Sequence, residues 1–403
     1  MKLKKKIPLI DQHDKYGFYG GKFGGNYCAE TMRKPIEDLS KLFEKLRKSK
    51  KFLKKRDHYF KHYLGGETPF YKLKNLTKHL GGAQIWCKDV SAINGDAHKA
   101  YHATVNALIC KESGKKFIAG DTGAGMFGKN LALAAKEMKL SAKIFMGTKD
   151  MARQAPNVKF MRDAGAEVVP VNSGSKTLVD AVSECMRHYV SNCDTTHLAV
   201  GSAIGCNIFL KICAWSTSQI SRELKKQLIK EFGEIPRLKL INVIGGGSSA
   251  LGFWNEFIDY DKKHVELIGV EAKYAAPLST NAKVAILHGA AQYCLTDKEG
   301  QIAETHSLSA GLDYPGSSPL HGLLKDTRRA RYTNASDKEA LSAFKLITKL
   351  EDIRPSLEPA HAWSECIRLA PKLKKSDVIV INNCGKGYKD KKIYIKELGY
   401  YPK

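Results

Sequence analysis

The chain of 403 residues has no apolar run close to the roughly 20 residues that a membrane-spanning helix needs. Its basic first residues, 1–7, are not followed by the apolar segment of a secretory signal, so we expect a cytoplasmic protein with no membrane contact. The ten cysteines form no CxxC pair, which argues against a zinc site and fits free thiols in a reducing compartment. No metal site is therefore expected.

Acidic residues are scarce relative to basic ones, 41 against 66, and the net charge is +25. Such an excess is typical of proteins that bind nucleic acid or an anionic surface. The alternative is a lysine-biased composition spread over solvated faces. The sequence has no Cys/His finger and no aromatic-rich RNA-binding signature, which favours the alternative. We therefore expect no nucleic-acid partner.

Strand-like and helix-like segments alternate along most of the chain. Short apolar runs predict strands at 83–87, 116–120, 142–146, 166–171, 239–244, 265–270 and 377–382. Helical spacing of apolar residues predicts helices at 101–111, 157–164, 177–190 and 209–232. Alternation of this kind favours parallel sheets covered on both faces. The sequence predicts an α/β fold with two parallel-sheet domains and a cleft between them.

The expected domain organisation has three parts. Residues 1–60 form an arm rich in glycine and aromatic residues at 16–27, then a helix that begins at Pro35, both packed on the body. Residues 61–214 form an N-terminal α/β domain and residues 215–403 a C-terminal one. The length suits two domains of ordinary size.

One lysine stands in a context that suits catalysis. Lys99 follows a short glycine-containing turn, residues 94–98. A lysine that binds a carbonyl cofactor covalently needs an anchor for the cofactor's anionic group and a partner for its ring. Segments 121–125, 245–249 and 384–387 have the composition to provide these. Considered alone, Lys99 would be a solvated surface lysine, because lysine is rarely buried, and the argument for catalysis depends on these neighbouring segments.

Two glycine-rich turns follow predicted strands and precede predicted helices. Residues 245–249 present backbone N–H groups at a helix start, which favours a phosphate site, and a plain turn is the alternative. They match neither the P-loop nor the GxGxxG pattern. Residues 121–125 have the same context and suit a carboxylate. Asp121 lies at a strand's carboxyl end, where α/β sites occur, or serves as a helix N-cap.

These segments resemble the β subunit of tryptophan synthase, a pyridoxal-phosphate enzyme of fold type II, from about Gly17 to near Asp390. The matching runs are FGGNY at 23–27, AHK at 97–99, TGAG at 122–125, GAEV at 165–168, SGS at 173–175, GGGS at 245–248, SAGLDYP at 309–315 and LE at 357–358. Their order and spacing match, and SAGLDYP is specific to this subunit and its near relatives.

The resemblance implies pyridoxal 5′-phosphate as the cofactor and a role for each matching residue. The residues expected to bind the cofactor are Lys99, which would hold it covalently, His98, Gly245, Gly246, Gly247, Ser248, Ser249, Glu358 and Cys384. The residues expected to bind the substrate are Thr122, Gly123, Ala124, Gly125, Met126, Phe127 and Arg153. Lys99, Asp121 and Asp313 are expected to be catalytic, with Arg153 pairing with Asp313. The alternatives are a core histidine for His98 and solvated ion pairs for the charged residues.

Several residues depart from the family's pattern within the expected site. Asp121 replaces a glutamate, which shortens the carboxylate's reach by one methylene. Met126 and Phe127 replace glutamine and histidine, and Cys384 replaces the serine that bonds the cofactor's ring nitrogen. The remaining changes are Asn94 for histidine, Asp96 for glycine, Ser249 for asparagine, Lys386 for arginine, Tyr388 for aspartate, a new run at 205–210 and a shortened stretch after Glu271. Together they suggest altered or weakened activity.

The function implied by the resemblance is replacement of the hydroxyl of L-serine by indole, giving L-tryptophan and water. The alternative is a divergent homologue with weak or lost synthase activity, acting as a serine deaminase or as a binding or scaffold protein. The retained Lys99, Asp313 and Glu358 favour the synthase. The family further implies a homodimer, an α subunit as a second partner, a monovalent cation, and a mobile communication subdomain at about 114–201.

Overall fold

The computed structural model describes residues 3 and 6–402. Their strands are β1 Phe18–Tyr19, β2 Phe23–Gly24, β3 Phe70–Lys72, β4 Gln84–Lys88, β5 Phe117–Thr122, β6 Ser141–Gly147, β7 Glu167–Val171, β8 Thr196–Ala199, β9 Leu238–Val243, β10 Val265–Ala272, β11 Lys283–Leu287, β12 Ala290–Cys294, β13 Ala330–Ala335 and β14 Val378–Asn382.

The α-helices are α1 Glu30–Leu46, α2 Lys50–His58, α3 Lys74–Leu80, α4 Lys99–Glu112, α5 Met126–Glu137, α6 Thr148–Arg153, α7 Ala155–Asp163, α8 Leu178–Asn192, α9 Asn207–Thr217, α10 Gln219–Phe232, α11 Ser248–Trp254, α12 Pro319–Asp326, α13 Asp337–Glu351, α14 Leu357–Leu369 and α15 Lys391–Leu398. Short 3₁₀ turns lie at Leu9–Asp11, Val90–Ala92, Asn255–Phe257, Ala370–Lys372 and Gly387–Asp390, and a π-helical turn at Tyr59–Tyr63.

Six strands form the main sheet in the order β13-β10-β9-β14-β4-β3. All neighbouring pairs are parallel except β3 and β4, which are antiparallel. Strands β9 and β14 are buried at every residue, as expected for a parallel sheet covered by helices on both faces. Strands β3 and β4 join this sheet although they precede residue 214. The main sheet thus contains strands from both sides of residue 214. The physical reason is that Ile85 and Cys87 of β4 pack with Ile379 and Ile381 of β14 in one apolar cluster.

A second sheet, in the order β7-β6-β5-β8, is parallel throughout and lies wholly within residues 114–201. Helices α5 and α8 pack on its central strand β5. The presence of two parallel sheets flanked by helices confirms the predicted α/β fold.

A small antiparallel sheet, β1-β2-β12-β11, holds the N-terminal arm on the body. Tyr19 and Phe23 of the arm are completely buried. The hydroxyl of Tyr19 lies 2.7 Å from Oδ1 of Asn207, at the start of α9. The glycines between these aromatic residues adopt positive φ angles, which is why the arm does not form a helix.

Two predicted helix boundaries are wrong. The first helix begins at Glu30 and not at Pro35, because Met32 extends its buried apolar face by one turn. The predicted helix at 209–232 consists of two helices, α9 and α10, separated at Ser218. Near this break the hydroxyl of Thr217 donates to the carbonyl of Cys213 and that of Ser218 to the carbonyl of Trp215, and such bonds compete with the helical pattern.

All ten cysteines are free thiols. Across residues 3 and 6–402, none of the helices has the length and apolar character to cross a membrane. No group of three or more histidine, cysteine, aspartate or glutamate side chains in these residues is arranged to hold a metal ion.

Candidate active site

The candidate site lies where loops from both parallel sheets meet. Strand β14 is the neighbour of both β4 and β9, so the segments that follow these three strands converge at one edge of the main sheet. They carry Lys99, the glycine turn at 245–247, and Cys384. The segments after β5 and β8 of the second sheet form the opposite wall. Parallel α/β folds bind ligands at such carboxyl ends.

About 870 Å³ of space, including solvent at the mouth, lies between these walls. The lining includes most of the predicted residues: His98, Lys99, Asp121, Thr122, Gly123, Ala124, Met126, Phe127, Gly245, Gly246, Gly247, Ser248, Ser249, Glu358 and Cys384. Gly125, Arg153 and Asp313 are not part of this lining. Gly311 and Tyr314, from the SAGLDYP run, also line the cavity, although the sequence assigned them no role. The sequence did not single out Gly201, Ser202, Leu178 or Lys389, which line it as well.

Lys99 is the first residue of α4 and its amine reaches into the cavity. Its Nζ donates a hydrogen bond to the carbonyl of Gly201 at 2.7 Å and lies 5.9 Å from the ring centre of Phe127. Burial lowers the pKa of the Lys99 amine, and Asp121 among other acidic groups opposes this effect. A lysine amine with a lowered pKa is more readily available as a nucleophile or base.

Asp121 is the second-last residue of strand β5 and is almost completely buried. Its Oδ1 accepts a hydrogen bond from the backbone N–H of Gly201 at 2.9 Å. Burial raises the pKa of Asp121 to about 6, against the opposing effects of the Gly201 N–H and of Lys99. The peptide groups of Gly201 therefore hold both Lys99, through the carbonyl, and Asp121, through the N–H. A Cβ at Gly201 would lie 2.6 Å from Oδ2 of Asp121, so only glycine fits there.

His98 connects two of the converging loops. Its Nε2 lies 3.0 Å from Oγ of Ser248, and its backbone N–H donates to the carbonyl of Cys384 at 3.2 Å. Burial, together with the charge of Lys99, lowers the pKa of His98 to about 3, so its ring is neutral at physiological pH. A neutral imidazole can donate to or accept from Ser248, depending on its tautomer.

The glycine turn after β9 leaves no room for side chains. A Cβ at Gly245 would lie 2.6 Å from the carbonyl of Gly311, and one at Gly246 would lie 2.4 Å from Oγ of Ser202. Gly247 has a φ of +92°, and a Cβ there would lie 2.2 Å from the ring of His321. The turn thus presents bare backbone to the cavity at the start of α11, which suits an anionic group.

The hydroxyl of Ser249 is bound from the main-sheet side. It accepts hydrogen bonds from the amides of Asn242 at 3.1 Å and Asn382 at 3.2 Å. These residues belong to the neighbouring strands β9 and β14, so Ser249 fixes the start of α11 to the sheet edge.

The loop from Thr122 to Gly125 leads from β5 into α5. Gly125 has a φ of +78°, and a Cβ there would lie 2.5 Å from the side chain of Asn157. The amide of Asn157 donates to the carbonyl of Ala124 at 2.8 Å, which holds the loop in shape. The ring of Phe127 stacks on His102, with ring centres 5.0 Å apart. Met126 and Phe127 thus provide an apolar section of the cavity wall.

Glu358, in the first turn of α14, forms an ion pair with Lys389 at 3.0 Å. Lys389 also pairs with Asp390 at 2.8 Å, and both lie deep in the protein. Burial raises the pKa of Glu358, but the charge of Lys389 and a bond from Ser356 outweigh it and lower the pKa to about 2. The sequence around Lys389 carries no periodic signal, so its burial was not predictable.

Cys384 follows β14 and lines the cavity beside Glu358. Burial raises the pKa of its thiol to about 12, although an interaction with Ser249 opposes this. The side chain is therefore a neutral thiol at physiological pH. A neutral thiol is only a weak hydrogen-bond donor or acceptor.

Asp313 and Arg153 lie next to the cavity rather than in its wall. Nη1 of Arg153 is 3.3 Å from Oδ2 of Asp313, and Oδ1 accepts from the hydroxyl of Thr305 at 2.9 Å. Arg153 also donates to the carbonyl of Ser307 at 2.7 Å. The pair joins α6, beside the second sheet, to the segment just after Gly311 and Leu312, which do line the cavity.

Residues 62–385 match the family described as pyridoxal-phosphate dependent enzyme. The chain belongs to this family. It is 39% identical over 388 residues to the tryptophan synthase beta chain of Acinetobacter calcoaceticus, with 94% of each chain covered. This similarity confirms the resemblance drawn from the motifs, with the chain as a divergent member.

Two crystal structures of diaminopropionate ammonia lyase from Escherichia coli have the same fold. One is a complex with a reaction intermediate and the other a holo form with selenomethionine. Their TM-scores are 0.66 and 0.65, with 18% identity and 95% of each chain covered. At this identity they show the fold alone. The chain thus has the fold-type-II architecture of the pyridoxal-phosphate-dependent enzymes.

Proposed function

We propose that this chain binds pyridoxal 5′-phosphate through Lys99 and replaces the hydroxyl of L-serine with indole, giving L-tryptophan and water. The observation that carries the proposal is the shared attachment of the Lys99 amine and the Asp121 carboxyl to Gly201, in a cavity that also contains the glycine turn. The site thus combines a nucleophilic amine, a proton-carrying carboxyl and an anion cradle.

The residues of the cavity fit the cofactor. The turn at 245–247, where any Cβ would collide with its neighbours, offers backbone N–H groups for the phosphate. Ser248, Ser249 and His98 supply polar groups beside the cradle. Glu358 and Cys384 would lie near the ring. The neutral thiol would bind the ring nitrogen only weakly, unlike the serine that the family has at this position.

When bound, pyridoxal phosphate acts as an electron sink that makes the Cα proton of an attached amino acid acidic. The Lys99 amine, freed from the cofactor when serine takes its place, takes this proton and returns it to Cα after indole has added. The lowered pKa of this amine increases the share of its neutral form, which is the form that can act as a base. Asp121 gives its proton to the departing hydroxide of serine, which leaves as water. The resulting carboxylate then takes the proton that indole loses at its new bond. A pKa of about 6 lets Asp121 serve in both directions near neutral pH.

The substrate is held by groups of the second sheet and by the neighbouring loop. Backbone N–H groups at Gly123, Ala124 and Gly125 suit the carboxylate of serine, because they precede the start of α5. The apolar wall of Met126 and Phe127 suits a flat aromatic partner such as indole better than a polar nucleophile. The pair of Asp313 and Arg153 would close the site over the bound substrate.

The hydrogen bond between Asp121 and Gly201 leads us to expect a low rate of tryptophan synthesis. Asp121 has one methylene fewer than glutamate, and its carboxylate is held at 2.9 Å by the Gly201 N–H. A displacement of about 1 Å from the reacting atoms can cost about 100-fold in rate. We therefore expect slower synthesis than in a relative with glutamate at this position.

The proposal extends to assembly and location. It includes a homodimer, a cytoplasmic protein, two domains at 61–214 and 215–403, and a mobile subdomain at about 114–201 within the first of them. An α subunit that delivers indole and a monovalent cation near the cofactor are further parts of it, carried over from the family.

The test supplies the purified chain with pyridoxal phosphate and serine, with and without indole. Tryptophan is expected by fluorescence and chromatography, and Lys99→Ala should abolish it together with the visible absorbance of bound cofactor. Lys116→Ala, at an exposed lysine, is the control. A borohydride-reducible adduct that persists in Lys99→Ala would contradict the role of Lys99. Pyruvate and ammonia as the only products, even with indole present, would establish the serine deaminase instead.

A further inference from the structure

Three residues that depart from the family's pattern, Asp96, Lys386 and Tyr388, meet Lys129 of helix α5 beside the Lys99 turn. Asp96, in that turn, accepts from Nζ of Lys129 at 2.7 Å and from the hydroxyl of Tyr388 at 2.8 Å. Nζ of Lys129 also lies 2.5 Å from the hydroxyl of Tyr388. Nζ of Lys386 is 2.8 Å from the other oxygen of Asp96. We call Asp96, Lys129 and Tyr388 the turn–helix cluster.

Exposure shows which of these contacts matters most. The side chain of Lys129 is 6% exposed, against 46% for Lys386 and 22% for Asp96. An exposed ion pair contributes little because water screens it, whereas a charged hydrogen bond shielded from water is stronger. The Lys129–Asp96 contact is therefore the dominant one. The Nζ of Lys129 also lies over two aromatic rings, 4.8 Å from the ring centre of Phe160 and 5.3 Å from that of Tyr388.

The turn–helix cluster joins elements from the two parallel sheets. Lys129 belongs to α5, which packs on β5 of the second sheet, whereas Asp96 and Tyr388 follow β4 and β14 of the main sheet. A second bond lies alongside, because the amide of Asn130 donates to the carbonyl of Gly95 at 3.1 Å. Two consecutive residues of α5 are thus tied to two consecutive residues of the Lys99 turn.

The tie lies one helical turn from the cavity wall. Met126 and Phe127 precede Lys129 in the first turn of α5, and Lys99 follows Asp96 by three residues. Any separation at the turn–helix cluster would move the Met126–Phe127 wall away from Lys99, because a helix moves as a rigid unit.

We propose that Lys129 is a positioning residue: through Asp96 and Tyr388 it holds the start of α5 against the Lys99 turn and so sets the width of the cavity between the two sheets. The inference rests on the proposed function only for the choice of serine as ligand. Loss of the tie lowers the fraction of chains in the binding-competent arrangement, and apparent affinity falls by that fraction.

The test compares Lys129→Met, Lys129→Arg, Tyr388→Phe and a control. Methionine keeps an apolar stem and leaves Asp96 with Lys386, so no buried charge loses its only partner. Lys159→Met removes an exposed lysine that pairs with Asp163 on α7, and is the matched control. The first readout is amide hydrogen exchange of peptides covering 94–98 and 126–137 in the cofactor-free chain. The second is serine titration of the visible absorbance in the cofactor-bound chain.

Lys129→Met is expected to speed exchange in both segments and to weaken the apparent serine affinity, each by about tenfold, with maximal turnover changed less than about twofold. Lys129→Arg should restore most of the affinity, Tyr388→Phe should lie between, and Lys159→Met should match the wild type. Unchanged exchange and affinity in Lys129→Met overturn the proposal. If that variant fails to fold, Tyr388→Phe decides, since Tyr388 is half exposed and its hydroxyl alone is removed. Hydrogen exchange in the cofactor-free chain tests the role of Lys129 even if the chain makes no tryptophan. Failure of this inference can therefore be distinguished from failure of the proposed function.

Discussion

Asp121→Asn should make the folded chain more stable at neutral pH while it impairs the reaction. Burial raises the pKa of Asp121 to about 6 in the folded chain, whereas an unfolded chain has a value near 3.9. The folded chain therefore binds this proton more tightly than the unfolded one. Stability of the wild type must fall as the pH rises through this window, because ionising the buried carboxyl is unfavourable.

The size of the effect follows from the two pKa values. A difference of about 2 corresponds to about 3 kcal/mol, fully lost by the wild type above about pH 6 and not lost at all below about pH 4. Asparagine has no proton to release and retains an oxygen for the Gly201 N–H. The free energy of unfolding of Asp121→Asn minus that of the wild type should thus increase by about 3 kcal/mol from about pH 4 to about pH 7.

Urea unfolding of the cofactor-free chain across this range measures the difference. Asp121→Glu keeps a titrating carboxyl in the same place and serves as the control, with a pH dependence similar to that of the wild type. The same glutamate variant should raise indole-dependent turnover, whereas Asp121→Asn should lower it. A stability difference that is constant across the pH range would refute the raised pKa. Full turnover in Asp121→Asn would refute its role in proton transfer.

Three further results are expected. Gly246→Ala should weaken cofactor binding at least tenfold in an absorbance titration, because its Cβ would lie 2.4 Å from Oγ of Ser202, and unchanged binding would contradict the cradle. Lys389→Met should destabilise the chain by about 3–5 kcal/mol at neutral pH, since it leaves the buried carboxyls of Glu358 and Asp390 unpaired, and the loss should shrink in acid. Sedimentation at micromolar concentration should give twice the monomer mass, and a monomer would contradict the homodimer.

Most of the residues that line the cavity could be predicted from the sequence, because they lie in short motifs with specific backbone requirements. The turn at 245–247 was recognisable since glycines between a strand and a helix have few other uses. Lys99 was recognisable from its neighbours at 97–98 and from the order of the other motifs. Gly201 was not, because an isolated glycine after a strand looks like an ordinary turn. Lys389 was missed since nothing local distinguishes a buried lysine from a solvated one.

The residues that depart from the family's pattern could be identified in the sequence, but their contacts with one another could not. Asp96, Lys386 and Tyr388 looked like three separate changes. In the structure Asp96 contacts Lys386, Tyr388 and Lys129, and these contacts hold two loops and a helix together. Their side chains lie up to 292 residues apart along the chain, so no local pattern connects them.

The sequence by itself determined the α/β alternation, the place of nearly every strand near the site, and membership of the pyridoxal-phosphate enzymes. Apolar periodicity and glycine turns are properties of neighbouring residues and are therefore readable along the chain. Only the tertiary structure decided that β4, β9 and β14 are neighbours, that β4 joins the main sheet, and that Gly201 holds Lys99 from 102 residues away. Strand order and such long-range contacts depend on which buried faces fit together, and that choice is made by the packing of the whole chain.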